Sequence, residues 1–154
     1  VFCNDREMYY EMLSVADEGT DKSMLHWCEY VLTGICDEIS KVNKLLDHCY
    51  LSQHLLKPAI TLGRDRGLIN KDEEIVLKAG VDLQLFKSSD IEKVLPKFTP
   101  RQRTHLITKL KNNGMILPLK ENGREYFVSF NNNYLMRSLI LMLEKEEFIP
   151  SINE

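Results

Sequence analysis

Thr99-Pro100-Arg101-Gln102-Arg103-Thr104-His105-Leu106-Ile107-Thr108-Lys109-Leu110-Lys111-Asn112-Asn113-Gly114 carries its own start and stop signals. Threonine at the N-cap, proline at N1 and glutamine at N3 open a helix, and Asn-Gly closes it, which predicts helix 99–113. At about 100° per residue, Leu106, Ile107 and Leu110 fall on one side, and Arg101, Gln102, His105, Thr108, Lys109 and Asn112 on the other. Packing needs only the first set. The second set consists of donors and donor–acceptors able to reach phosphates and base edges, or else it is a solvated polar face, and spacing leaves both readings open.

Downstream of this helix the apolar period shortens towards two. Residues 115–119 (MILPL) and 124–130 (REYFVSF) flank Asn122-Gly123, which predicts a β-hairpin, with Pro118 confining its strand to an edge. A last amphipathic helix follows, with Tyr134, Leu135, Leu139, Ile140 and Leu143, and the end after Pro150 reads as loose. Upstream, Asn70 with Glu73 caps a helix over 71–84, and Ser88 or Ser89 caps a short one that Pro96 stops. Helix, short helix, helix and hairpin in this order predict a winged helix-turn-helix with a small β-hairpin wing, in which helix 99–113 is the recognition helix and Lys120 and Arg124 lie on the wing.

The N-terminal part is helical throughout. Met8, Tyr9, Met12, Leu13 and Ala16 mark an amphipathic helix over 4–17, ended by Gly19. Thr20 or Asp21 then caps a long helix whose apolar positions run Met24, Trp27, Cys28, Val31, Ile35, Ile39, Val42, Leu45, Leu46 and Cys49, a stripe that reads as core. Residues 51–68 read as a connector, with a helix interrupted near Pro58. Its segment Gly63-Arg64-Asp65-Arg66-Gly67 lacks the lysine and flanking strand of a phosphate loop. The fold class is therefore mainly α, with a helical segment over 1–68 and a winged-helix domain over 69–148.

Composition narrows the function classes. Of 154 residues, 44% are hydrophobic and 28% charged, which is ordinary globular material with no membrane span or signal peptide in view. A soluble, cytoplasmic protein is expected, and Val1 in place of an initiator Met suggests a piece of a longer protein. The net charge of −3 is unevenly spread: residues 1–50 hold four basic side chains against ten acidic, whereas 99–130 hold six basic against two acidic. Only the second stretch suits a polyanion. Cys3, Cys28, Cys36 and Cys49 match no zinc spacing and read as buried reduced thiols, so no metal site is expected.

Residues 6–13 (REMYYEML), the following Asp-Glu-Gly-Thr break and residues 27–35 (WCEYVLTGI) resemble the segment downstream of the active site in Fic-family proteins. Many of these carry a winged helix after it, and residues 70–130 are similar to one. The resemblance implies that the chain is the C-terminal portion of a protein that moves AMP from ATP to a protein hydroxyl. Its His-Pro-Phe…Gly-Asn-Gly-Arg catalytic loop is absent here, so no catalytic residue carries over and the chain is expected to be noncatalytic. ATP and a divalent metal are implied for the parent only. Ser14-Val15-Ala16-Asp17-Glu18-Gly19 also satisfies the loose form of the family's inhibitory motif, although Glu-Gly at a helix end is common for capping reasons.

Two functions remain. In one, Arg101, Gln102, His105, Thr108, Lys109 and Asn112 face the major groove of double-stranded DNA while Lys120 and Arg124 meet its backbone. In the other, the winged helix docks a protein target, the Fic catalytic domain or a second copy, with part of the apolar run 135–143 (LMRSLILML) burying a homodimer contact.

Overall fold

The computed structural model describes residues 5–121 and 123–150. The chain is mainly helical with one small three-stranded antiparallel sheet. It divides into two compact units between Asp47 and His48. This division differs from the expected boundary at 68/69 because residues 51–63 supply buried side chains to the second unit.

In the first unit, α1 (Arg6–Ala16) starts at Asp5, whose Oδ1 accepts the Met8 N–H at 3.0 Å. It ends in a turn at Gly19, where φ is +66°, a conformation that favours glycine. Helix α2 (Asp21–Leu46) is 26 residues long and opens with a reciprocal Thr20–Ser23 capping box. Extended backbone at Asp47 (φ −81°, ψ 110°) stops it short of the expected end near Cys49.

Helix α1 packs on the side of α2 that carries Ser23 and Gly34, both buried, with Met12 buried opposite them. The Tyr9 ring lies 5.8 Å from that of Trp27. Two helices cover only the sides they share, so the stripe expected to be core is in large part exposed: Met24, Ile35, Ile39, Val42 and Leu46 all face outward. Cys28, Cys36 and Cys49 are likewise exposed rather than buried. Cys3 lies outside the described residues.

The second unit begins with α3 (His48–Tyr50), a π-helical turn (Leu51–Leu56) and α4 (Lys57–Asp65). Residues expected to be a connector are core here, with Leu55 1% exposed and Ala59 and Ile60 0%. Pro58 has no N–H, and its ring crowds the carbonyl four residues back; the wide π-turn before it relieves both constraints. After α4 the chain turns at Gly67 (φ +71°). Arg64 is engaged by Asp65 at 2.6 Å and Glu74 at 3.2 Å, so residues 63–67 close a helix.

Helix α5 (Lys71–Leu83) opens with the expected box, in which the Asn70 N–H donates to Glu73 Oε2 at 2.7 Å and the Glu73 N–H to Asn70 Oδ1 at 2.9 Å. Its Gly80 lies against the sheet, and a Cβ there would stand 2.8 Å from both Phe86 Cε1 and Val128 Cγ2. Strand β1 (Phe86–Lys87) has only two residues, too few to leave a period in the sequence. The following α6 (Ser88–Val94) is capped by Lys87 and not by Ser88 or Ser89: the Lys87 N–H donates to Asp90 Oδ2 at 2.9 Å. A hydrogen bond from Lys93, then the one from Lys87, hold the Asp90 carboxyl below its ordinary pKa.

Helix α7 (Pro100–Asn112) keeps the predicted Thr99–Gln102 box, and Gly114 leaves it at φ +68°. Strands β2 (Ile116–Pro118) and β3 (Glu125–Val128) pair with Ile116 opposite Val128 and Pro118 opposite Tyr126. Strand β1 joins the other side of β3, which leaves Pro118 on an edge strand, as its missing N–H requires. The Leu119 N–H donates to Glu125 O at 2.9 Å and the Gly123 N–H to Lys120 O at 2.8 Å. Asn122 of the expected Asn-Gly turn, and residues 151–154, lie outside the described residues.

Helix α8 (Asn133–Lys145) is capped by Asn132, whose Oδ1 accepts the Tyr134 and Leu135 N–H groups. The same side chain donates from Nδ2 to Gly114 O at 3.1 Å and Ser129 O at 2.9 Å, tying the start of α8 to the end of α7. Leu135 and Ser138 are fully buried and α8 packs on α4, whereas Met136 is exposed and Leu139 to Leu143 are half-buried, so part of the apolar run 135–143 is used within this unit. The core joins Ile60, Leu77, Ile91, Leu110, Met115 and Leu135.

Candidate nucleic-acid interface

Helix α7 has two chemically distinct sides. Leu106, Ile107 and Leu110 are buried in the core, whereas Arg101, Gln102, His105, Thr108, Lys109 and Asn112 are all exposed. Arg101, His105, Thr108 and Asn112 follow one another at four- and three-residue steps, a line spanning roughly 16 Å along the helix. Arg103 lies on the other flank, 13% exposed, with Nη1 2.7 Å from Glu92 Oε2. This is where the helical wheel puts it, away from the line.

Several of these side chains already have work inside the fold. Gln102 commits its carbonyl oxygen to the Thr99 N–H at 2.8 Å and the Thr99 hydroxyl at 2.9 Å, so its amide is what it can offer a partner. The Thr108 hydroxyl donates to Thr104 O at 2.9 Å and retains only its acceptor capacity. Lys109 Nζ stands 2.7 Å from Glu73 Oε1, and the Glu73 side chain is 3% exposed. That contact is close but poorly aligned, since the same oxygen has no partner of hydrogen-bond geometry; we read it as an ion pair. Glu73 had no functional reading from sequence beyond its capping role. The signal was available in principle, because a capping-box glutamate reaches back along its helix.

Beside this face lies a surface groove of about 400 Å³. Phe98 and Leu106 give it an apolar floor, Arg101, His105 and Lys109 stand on one side, and Asn70 and Asp72 at the start of α5 on the other. Lys120 and Arg124, in the β2–β3 loop, are both exposed. Lys87 on β1 pairs with Glu125 on β3 at 3.1 Å. Of the six cations in residues 99–130, Arg101, Lys111, Lys120 and Arg124 have no acidic partner within 4.0 Å among the described residues, whereas Arg103 and Lys109 are paired, which leaves those four of the stretch to a polyanion. Among the described residues no three His, Cys, Asp or Glu side chains are grouped to hold a metal, and no helix is long and apolar enough to cross a membrane.

The chain matches no protein-family model and no curated protein.

Proposed function

We propose that residues 70–130 form a winged helix-turn-helix that binds duplex DNA through α7 and the β2–β3 loop. The observation that carries this is the sorting of α7. Its apolar residues are all in the core, and its outward line of Arg101, His105, Thr108 and Asn112 is left to polar groups that can reach base edges. Lys120 and Arg124 supply phosphate contacts, with Arg101 and Lys111. Four neutralised phosphates give a slope of about −3.6 in log affinity against log salt, so binding is expected to fall roughly 100-fold between 50 and 200 mM salt. Fluorescence anisotropy on a mixed-sequence duplex measures this. Replacing Lys120 and Arg124 by alanine should flatten the slope by about 1.8, and absence of binding at the lowest salt would end the proposal.

A second proposal rests on residues 6–13 and 27–35 alone: the chain is the C-terminal part of a Fic-type protein, and the winged helix regulates its parent. The chain itself is then noncatalytic. Incubated with labelled ATP, Mg²⁺ and a protein acceptor, it is expected to transfer no AMP, and robust transfer would refute that reading.

A further inference from the structure

Among the described residues, α2 carries the longest series of exposed large apolar side chains. At about 100° per residue, Met24, Cys28, Val31, Ile35, Ile39, Val42 and Leu46 fall within an arc of roughly 80°, turned well away from the Ser23–Gly34 side that meets α1. Exposure of Met24, Ile35, Ile39, Val42, Leu46 and the flanking Leu25 and Leu32 ranges from 43% to 78%. Together they leave on the order of 700 Å² of apolar surface, above the roughly 300–600 Å² of the largest patch on a typical monomer and close to the 800 Å² that each partner gives to a standard interface.

The spacing of the stripe points to its occupant. Its steps are four, three, four, four, three, four, the same read in either direction. We propose that α2 pairs antiparallel with α2 of a second copy of this chain, with the two-fold axis at Ile35. In that register Ile35 meets Ile35, Val31 meets Ile39, Cys28 meets Val42 and Met24 meets Leu46, so every position of the stripe has an apolar partner. Such a pairing satisfies the reciprocity that a two-fold interface demands. The mean step of about 3.67 residues is near the natural period of a helix, so the two stripes stay in register along their length with little supercoiling. The first unit carries four basic side chains against ten acidic, and like charges therefore oppose the pairing at low salt. Self-association should strengthen as salt rises, the opposite sense to DNA binding, so the two properties are separable in one titration.

Sedimentation equilibrium of the full chain over a 100-fold concentration range tests the pairing. A monomer–dimer equilibrium is expected, shifted towards dimer by salt and lost in Ile35→Arg. Ile35 is exposed, so unchanged circular dichroism of that variant should show that it still folds. Cross-linking tests the register: with the native cysteines replaced by alanine, chains bearing Met24→Cys should form disulfides with chains bearing Leu46→Cys and not with one another. A strictly monomeric chain, which would leave the stripe to a different protein, overturns the proposal. So does a dimer indifferent to Ile35→Arg, or a Met24→Cys homodisulfide.

Discussion

Replacing Leu110 by alanine is expected to lower the unfolding free energy of the second unit by about 2–5 kcal/mol, the range seen when a fully buried leucine leaves a cavity. Leu110 is 0% exposed and lies in one cluster with Leu77 of α5, Ile91 of α6, Met115 before the sheet, Ile116 of β2 and Leu135 of α8. Elements fixed by four separate capping arrangements surround it and cannot close over the space independently. The chain's single tryptophan, Trp27, packs against Tyr9 and Tyr30 in the first unit. Urea unfolding followed by Trp27 fluorescence should therefore keep its midpoint, while the helical signal at 222 nm acquires an earlier transition. Alanine at Asn112, exposed on the same helix, should change stability by less than about 0.5 kcal/mol. A loss below about 1 kcal/mol for Leu110→Ala would mean that α7 is not anchored through this side chain.

Local chemistry was legible in the sequence. The helix starts at Asn70 and Thr99 were readable because a capping box is closed within four residues, the start of α2 was narrowed to Thr20 or Asp21, and Pro118 announced an edge strand because it can donate no ladder hydrogen bond. What was not legible is non-local. Strand β1 exists because Phe86 and Lys87 find Tyr126 and Glu125 forty residues on, and two residues show no period. The π-turn before Pro58 turns an expected connector into core, which depends on α8 arriving to cover it. On α2 the period was read correctly and its meaning was not. Periodicity locates an apolar face but cannot say whether this chain supplies the surface that covers it. In the candidate interface, the outward line on α7 was visible from spacing, whereas the hold of Glu73 on Lys109 needed α5 and α7 side by side.

That hold gives the proposed interface its sharpest test. Glu73→Gln keeps an oxygen that can accept the Asn70 N–H, so the capping box of α5 can survive, but it removes the charge that ties down Lys109 at 2.7 Å. Lys109 is 47% exposed and can swing outward once released. If α7 lies along a duplex, one further cation becomes available to a phosphate, and the salt slope should steepen by about 0.9. Affinity near 50 mM salt should rise by roughly tenfold, through the new contact and through loss of a carboxylate beside the DNA-facing groove. Lys109→Ala is the opposite operation. It leaves a 3%-exposed carboxylate without its cation, and stability should fall by about 1–3 kcal/mol, less than for a fully buried pair because water reaches the lysine end. On DNA binding it should leave the salt slope near that of the wild type, since Lys109 makes no phosphate contact there, while affinity at low salt falls because the Glu73 carboxylate is left uncompensated beside the groove. An unchanged slope in Glu73→Gln, measured on a variant whose circular dichroism matches the parent, would place Lys109 outside the contact surface and confine it to holding α5 against α7.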